Sequence, residues 1–102
     1  MSKERVVVSA PLFDLGRVVA TPGALSLLAE SRVNFVDLLN RHVRGDWGDV
    51  CAEDGKLNDV AVHRGERLLS FYALGCESRN SVIWVITEAD RSSTCCLLPS
   101  EY

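Results

Sequence analysis

His42 carries the side chain in this sequence that is best suited to acid–base chemistry. Imidazole titrates near neutral pH and serves enzymes as a general acid or base. The same residue falls on the apolar stripe of a predicted helix, close to its C-terminal end, where a partly buried histidine commonly bonds to a carbonyl group. We therefore expect a structural role for His42 and keep catalysis as the alternative.

A short charged turn lies between two apolar segments near the end of the sequence, at residues 88–91. Asp90, Arg91 and the nearby Thr94 combine a carboxylate, a guanidinium and a hydroxyl, which are groups that bind a phosphate or orient a partner peptide. Charged residues between two strands more commonly form a solvated hairpin tip. The sequence favours the solvated turn and leaves these three side chains as candidate binding residues.

An acidic stretch places four carboxylates within nine residues, a density that could attract a cation such as Mg²⁺ or Ca²⁺. Its members are Asp46, Asp49, Glu53 and Asp54. Their spacing does not fit a calcium-binding loop, so helix capping and solvation are favoured and we predict no metal site. Trp47, beside Asp46, is expected to pack across helix ends. Together these two residues are further candidates for a binding surface.

The cysteines do not form a recognisable metal or catalytic pattern. Cys95 and Cys96 are adjacent, so on a strand they point to opposite faces, and no Cys-x-x-Cys spacing occurs. Nothing in the sequence indicates export, and we expect reduced thiols in a cytoplasmic protein. A glycine-rich phosphate loop and a Gly-x-Ser-x-Gly elbow are also missing, so no cofactor is predicted.

Length and composition indicate one domain. The 102 residues are 47% hydrophobic and 25% charged, which is typical of a chain that folds around a core. The formal net charge of -3 argues against a protein that grips nucleic acid by its overall field, although a local basic patch stays open. No stretch approaches the roughly 20 apolar residues of a membrane span, so we expect no membrane partner.

The elements that must position these residues change type along the chain. We predict a strand at 16–20, helices that begin at the caps Thr21, Asn34 and Asp54, helix ends near Ser31, Gly45 and Gly65, and strands at 67–74, 81–87 and 93–98. The fold class is α+β: a short N-terminal strand, two to three helices, and a three-stranded antiparallel meander packed on the helices. Residues 1–15 form an N-terminal extension and 16–102 a single domain.

The middle strand of the predicted meander is apolar on both faces. Trp84 and Ile86 point one way, whereas Ile83 and Val85 point the other. The helices can cover one face, and the other needs the N-terminal segment or a second subunit. The candidate covering residues are Val6, Val7, Val8, Leu12 and Phe13. A homodimer and a monomer both remain open.

Three stretches carry a resemblance to a known group of proteins: Arg41-His42-Val43-Arg44-Gly45-Asp46-Trp47-Gly48-Asp49, Ile86-Thr87-Glu88-Ala89-Asp90-Arg91-Ser92 and Leu97-Leu98-Pro99-Ser100-Glu101-Tyr102. With them the chain resembles a family of small bacterial proteins of uncharacterised function that are carried on plasmids and other mobile or accessory DNA. The resemblance covers about residues 16–102. It implies a protein of an accessory element and supplies no catalytic residue.

Two functions are consistent with these patterns. The first is a non-catalytic binding or regulatory module with a protein partner, acting through a surface formed by the 46–49 turn and the 88–91 hairpin. The second is a small metal-independent ribonuclease or toxin-like enzyme, in which His42 is the acid or base and Arg67 or Arg91 holds the scissile phosphate.

Overall fold

The computed structural model of the protein describes residues 11–74 and 81–102. The predicted loop at 75–80 and the cover assigned to Val6, Val7 and Val8 lie outside the described residues. In chain order the elements are β1 (Arg17–Ala20), α1 (Pro22–Ser31), α2 (Phe35–Val43), α3 (Ala52–Arg64), β2 (Leu68–Ala73), β3 (Val82–Thr87), β4 (Ser93–Leu97) and a short 3-10 helix (Pro99–Glu101).

The first two helices begin where local capping chemistry predicts. The Thr21 hydroxyl accepts a hydrogen bond from the Ala24 amide at 3.2 Å, and Asn34 Oδ1 accepts one from the Val36 amide at 2.8 Å. The prediction for α3 was wrong at its start, because the helix begins at Ala52 and places Asp54 in its first turn. A carboxylate there still interacts favourably with the helix dipole.

The sheet has four strands in the order β1-β4-β3-β2. Strands β2, β3 and β4 pair in antiparallel fashion, whereas β1 runs parallel to β4. The predicted three-stranded antiparallel meander is therefore wrong, and the α+β fold contains a mixed sheet. A parallel pair needs a long crossover, and here β1 meets a strand from the far end of the sequence, a pairing that no local pattern records.

Helices α1 and α2 cover one face of the sheet, called here the inner face. The buried members of this core are Ala24, Leu28, Leu38, Tyr72, Ile83, Val85 and Cys96. Alternation along the strands points the strand members of this core at the helices and sends Leu69, Trp84 and Ile86 to the opposite, outer face. The helices therefore cover one of the two apolar faces predicted for β3.

Helix α3 lies along the free edge of β2 instead of covering a face. Asn58 Nδ2 donates to the Leu69 carbonyl at 2.8 Å, and the Leu69 amide donates back to Asn58 Oδ1 at 3.3 Å. Farther along the edge, the Phe71 amide donates to the Trp47 carbonyl and its carbonyl accepts from the Asp49 amide. These bonds occupy backbone groups that an open edge strand would leave exposed.

The outer face is only partly covered. The ring of Tyr102, which follows the 3-10 helix, lies 5.4 Å from the ring of Trp84. Leu12 and Phe13 do not cover this face: the Leu12 amide donates to the Val43 carbonyl at 2.7 Å, and Phe13 packs against α2. Within residues 11–74 and 81–102, no helix is both long and apolar enough to cross a membrane.

Gly48 lies directly against β2, where it forms an isolated bridge with Phe71, and it offers a test of this packing. Its φ is +76°, and an added Cβ would collide with the Phe71 carbonyl and the Tyr72 ring. We expect Gly48→Ala to destabilise the fold by roughly 3 kcal/mol in urea unfolding, from left-handed strain and overpacking together.

The matched control is Gly65→Ala. Gly65 has a similar φ of +69°, but a Cβ there would meet no atom within 4 Å. Only the left-handed backbone strain applies to Gly65→Ala, so the free energy of unfolding should fall by about 1 kcal/mol. Equal losses for the two variants would contradict the close approach of Gly48 to β2.

Candidate functional site

His42 lies at the centre of a buried chain of hydrogen bonds. Its Nδ1 is 2.6 Å from Ser70 Oγ, and its Nε2 is 2.8 Å from Thr87 Oγ1. Thr87 Oγ1 is 2.7 Å from Thr94 Oγ1, which donates to the Leu15 carbonyl at 2.8 Å. The chain therefore joins α2 to β2, β3 and β4 and to the segment before β1.

The last acceptor fixes the direction of every proton in this chain. A carbonyl can only accept, so Thr94 donates to Leu15 and must accept from Thr87. Thr87 then accepts from His42 Nε2–H, which leaves Nδ1 unprotonated to accept from Ser70. The geometry assigns the Nε2–H tautomer to a neutral imidazole.

Burial also keeps this imidazole neutral. His42 has no exposed surface, and burial, with a smaller contribution from the positive charge of Arg91, lowers its pKa to about 4. A general acid or base must reach a substrate proton, and both ring nitrogens of His42 face hydroxyl groups of the core. The arrangement is that of a structural histidine.

Phe13 covers the His42 ring and gathers three predicted site residues around itself. Its ring lies 5.2 Å from that of His42, edge to face, and is stacked 6.1 Å from that of Trp47. The Arg91 guanidinium carbon lies 5.5 Å from the centre of the Phe13 ring. Trp47 is buried and donates from Nε1 to Asp59 at 3.0 Å. Trp47 therefore packs between the C-terminal end of α2 and the middle of α3, and not across two helix ends as predicted.

The Arg91 guanidinium bonds to backbone carbonyls. Nη1 donates to the Glu66 carbonyl at 2.6 Å and to the Glu88 carbonyl at 3.1 Å, and Nη2 donates to the Ala61 carbonyl at 3.1 Å. Arg91 has a φ of +61°, so it forms the left-handed corner of the hairpin. It fastens the hairpin to the end of α3, where the Ala61 carbonyl also accepts from the Glu66 amide.

Asp46 is paired at the surface of the other predicted turn. Its two carboxylate oxygens accept from the Arg41 guanidinium at 2.7 and 3.2 Å. The bond to Arg41 is the main cause that lowers the pKa of this carboxyl below its usual value. The Asp46 carbonyl accepts from the Tyr72 hydroxyl at 2.7 Å, and burial raises the pKa of that tyrosine to about 12.

Asp90 stands apart from these groups at the exposed tip of the hairpin. It accepts from the Ser92 amide at 3.0 Å, and its interaction with Ser92 lowers its pKa. The structure thus gathers His42, Trp47 and Arg91 around Phe13, with Thr94 linked through Thr87. The sequence analysis named Phe13 only as cover for a face of the sheet and missed Ser70 and Thr87. The polar residues at inward positions of apolar strands are the signal that could have identified the last two.

A separate depression crosses the outer face and is called here the outer trough. Its larger cavity has a volume of about 270 Å³ and is lined by Asn58, Arg67, Leu69, Trp84, Ile86 and Tyr102. Its smaller cavity has a volume of about 190 Å³ and is lined by Val50, Asp54, Leu57, Asn58 and Leu69. Because the two cavities share Asn58 and Leu69, they form one trough between α3 and the sheet.

The two ends of the outer trough differ in charge. Arg67 closes the larger cavity, where its Nη1 donates to the Tyr102 hydroxyl at 2.8 Å and its Nε lies 3.8 Å from a Glu88 oxygen. Asp54 stands at the other end. On the floor, the Trp84 indole N–H is buried without a hydrogen-bond partner. The trough is therefore an apolar surface bounded by one basic and one acidic residue.

Comparison with protein-family models, curated proteins and solved structures finds no match to this chain. Within the described residues, no group of three histidine, cysteine, aspartate or glutamate side chains is arranged to hold a metal ion.

The burial of His42 predicts how stability depends on pH. The unfolded imidazole protonates near pH 6.5 and the folded one near pH 4. The unfolded state therefore binds more protons in this window, and the free energy of unfolding falls as the pH drops from about 6.5 to about 4, by about 3 kcal/mol in total. Urea unfolding at a series of pH values measures this slope.

Two variants separate His42 from the rest of the protein. His42→Gln keeps a polar side chain without titrating and should lose the slope in this window. His63→Gln, at the exposed histidine on α3, should keep it. A wild-type stability that stays constant from pH 6.5 to pH 4 would show that His42 is not buried as a neutral ring.

Proposed function

We propose that this protein is a non-catalytic binding module that takes a segment of a protein chain into the outer trough. The resemblance seen in the sequence would make it a binding or regulatory protein of an accessory genetic element in a bacterial cytoplasm. The single observation that carries the proposal is the contrast between the two faces of the sheet. The polar groups of the inner face are bonded within the fold, whereas the apolar outer face is only partly covered.

The side chains that could take part in catalysis or binding are bonded to partners within the fold, and these bonds hold the backbone in place. His42 and Thr94 are fully buried, and Arg91 bonds to three carbonyls. Asp46 is engaged by Arg41 and Trp47 by Asp59. These bonds favour the outer trough over the 46–49 turn and the 88–91 hairpin as the binding surface.

The trough has features that recognise a protein segment. Leu69, Trp84 and Ile86 offer an apolar floor, and apolar contact supplies most of the binding energy at protein interfaces. Arg67 and Asp54 at the two ends favour a segment with an acidic group at one end and a basic group at the other.

The ribonuclease alternative has less support from the geometry. It needs His42 and an arginine beside one substrate phosphate. His42 is buried against the inner face, whereas Arg67 lines the trough on the outer face. Arg91 lies closer to His42, but Phe13 packs against both side chains. We therefore expect purified protein to leave mixed RNA intact, and cleavage that disappears in the Arg67→Ala variant would contradict the proposal.

A displayed peptide library tests the binding function directly. When the protein is immobilised at low surface density, selection should enrich peptides that carry apolar residues next to an acidic one. Anisotropy of a labelled, enriched peptide should then show roughly tenfold weaker binding to Arg67→Glu, because charge reversal costs about 1.4 kcal/mol or more at a close contact.

Arg44→Glu is the matched control, since Arg44 is exposed and does not line the trough. It makes the same change in net charge and should bind the peptide as the wild type does. The proposal fails if no peptide is enriched, or if the two variants lose affinity equally.

A further inference from the structure

We propose that the occupant of the outer trough is a second copy of this chain, and that two copies pack trough to trough about a two-fold axis near Asn58 and Leu69. This inference rests on the proposed function, because it assigns a partner to the same surface. The observation that supports this inference is the order in which the apolar and charged residues lie along the trough.

The trough presents an exposed apolar side chain beside an apolar cavity. Leu57 is 66% exposed on the rim of the smaller cavity. Trp84 and Ile86 form the floor of the larger cavity, on the other side of the shared Asn58 and Leu69. A two-fold axis through the shared residues exchanges the two ends, so that Leu57 of each copy faces the Trp84–Ile86 cavity of the other.

The sizes of the two features match. An apolar cavity of about 150 Å³ can hold a molecule as large as benzene. The larger cavity, at about 270 Å³, therefore has room for a leucine side chain. Burying Leu57 in this way removes a large apolar side chain from water in both copies at once, which favours association.

The charges along the trough are self-complementary under the same rotation. Asp54 stands at the Leu57 end and Arg67 at the Trp84 end. The two-fold exchange sets Asp54 of each copy opposite Arg67 of the other. Arg67 already pairs with Glu88, whose carboxylate lies 3.8 Å from its Nε, but its side chain is about half exposed and can meet a second carboxylate.

This combination favours a second copy over an unrelated partner. A two-fold interface uses one patch on both subunits, so the patch must contain every feature together with its complement. The trough contains a protruding leucine and a cavity, as well as an acidic and a basic end. A groove that takes only an unrelated peptide needs the cavity and the charges but has no use for the exposed leucine on its rim.

Sedimentation velocity from micromolar to millimolar concentration tests the inference. The wild type should form a dimer as concentration rises, and Leu57→Asp should weaken dimerisation roughly 30-fold or more, as expected for loss of a central apolar contact. Val36→Asp is the matched control, since Val36 is 56% exposed on α2 and does not line the trough. It should dimerise as the wild type does, and circular dichroism should show that both variants are folded.

A charge exchange tests the predicted orientation. Asp54→Arg and Arg67→Asp should each weaken the dimer, because each sets like charges against one another across the axis. The double variant restores opposite charges and should recover most of the affinity. Recovery would support the two-fold arrangement, in which Asp54 of each copy faces Arg67 of the other. Additive losses would overturn it.

The outcomes also separate this inference from the proposed function. A protein that stays monomeric but binds selected peptides through Arg67 overturns the inference and leaves the function standing. A dimer that Leu57→Asp dissociates, in a protein that selects no peptide, supports the inference and overturns peptide binding. A dimer that Leu57→Asp and Val36→Asp leave equally intact overturns the inference.

Discussion

A histidine buried among apolar side chains needs a partner for each ring nitrogen, and that requirement organises the inner face of this protein. Ser70 and Thr87 meet it directly, and Thr94 passes the last proton to the Leu15 carbonyl. An unsatisfied member would cost about 1–3 kcal/mol. Because the five groups come from α2, three strands and the segment before β1, these elements have to adopt one arrangement together. The surrounding core also encloses the imidazole, and this burial keeps it neutral.

The three stretches that stand out in the sequence serve mainly to hold the fold. In the first, Arg41 pairs with Asp46. In the second, Arg91 fastens the hairpin to α3. In the third, the Glu101 carboxylate accepts from the Thr21 hydroxyl and the Gly23 amide at the start of α1. Distinctive residues at these positions therefore have structural partners within the fold, and the function proposed above uses the surface that they leave uncovered.

Local chemistry predicted the parts of the fold that depend on near neighbours. Thr21, Asn34 and Gly65 end or begin helices through bonds within a few residues, so their roles could be read from the sequence. The parallel pairing of β1 with β4 joins distant segments and could not. The strand around Trp84 carries apolar side chains on both of its faces, which predicted that the outer face of β3 needs cover. The trough itself depends on Asn58 holding α3 at the edge of β2, a contact that no periodicity indicates.

The protonation state of His42 decides between a structural ring and a reactive one. Long-range ¹⁵N–¹H correlation spectra of the imidazole report both ring nitrogens at once. At pH 5.5 we expect a neutral ring with the proton on Nε2 and none on Nδ1, as the chain from Ser70 to Leu15 requires. A ring that is protonated at this pH, or that carries its proton on Nδ1, would contradict the buried chain and reopen a catalytic role for His42.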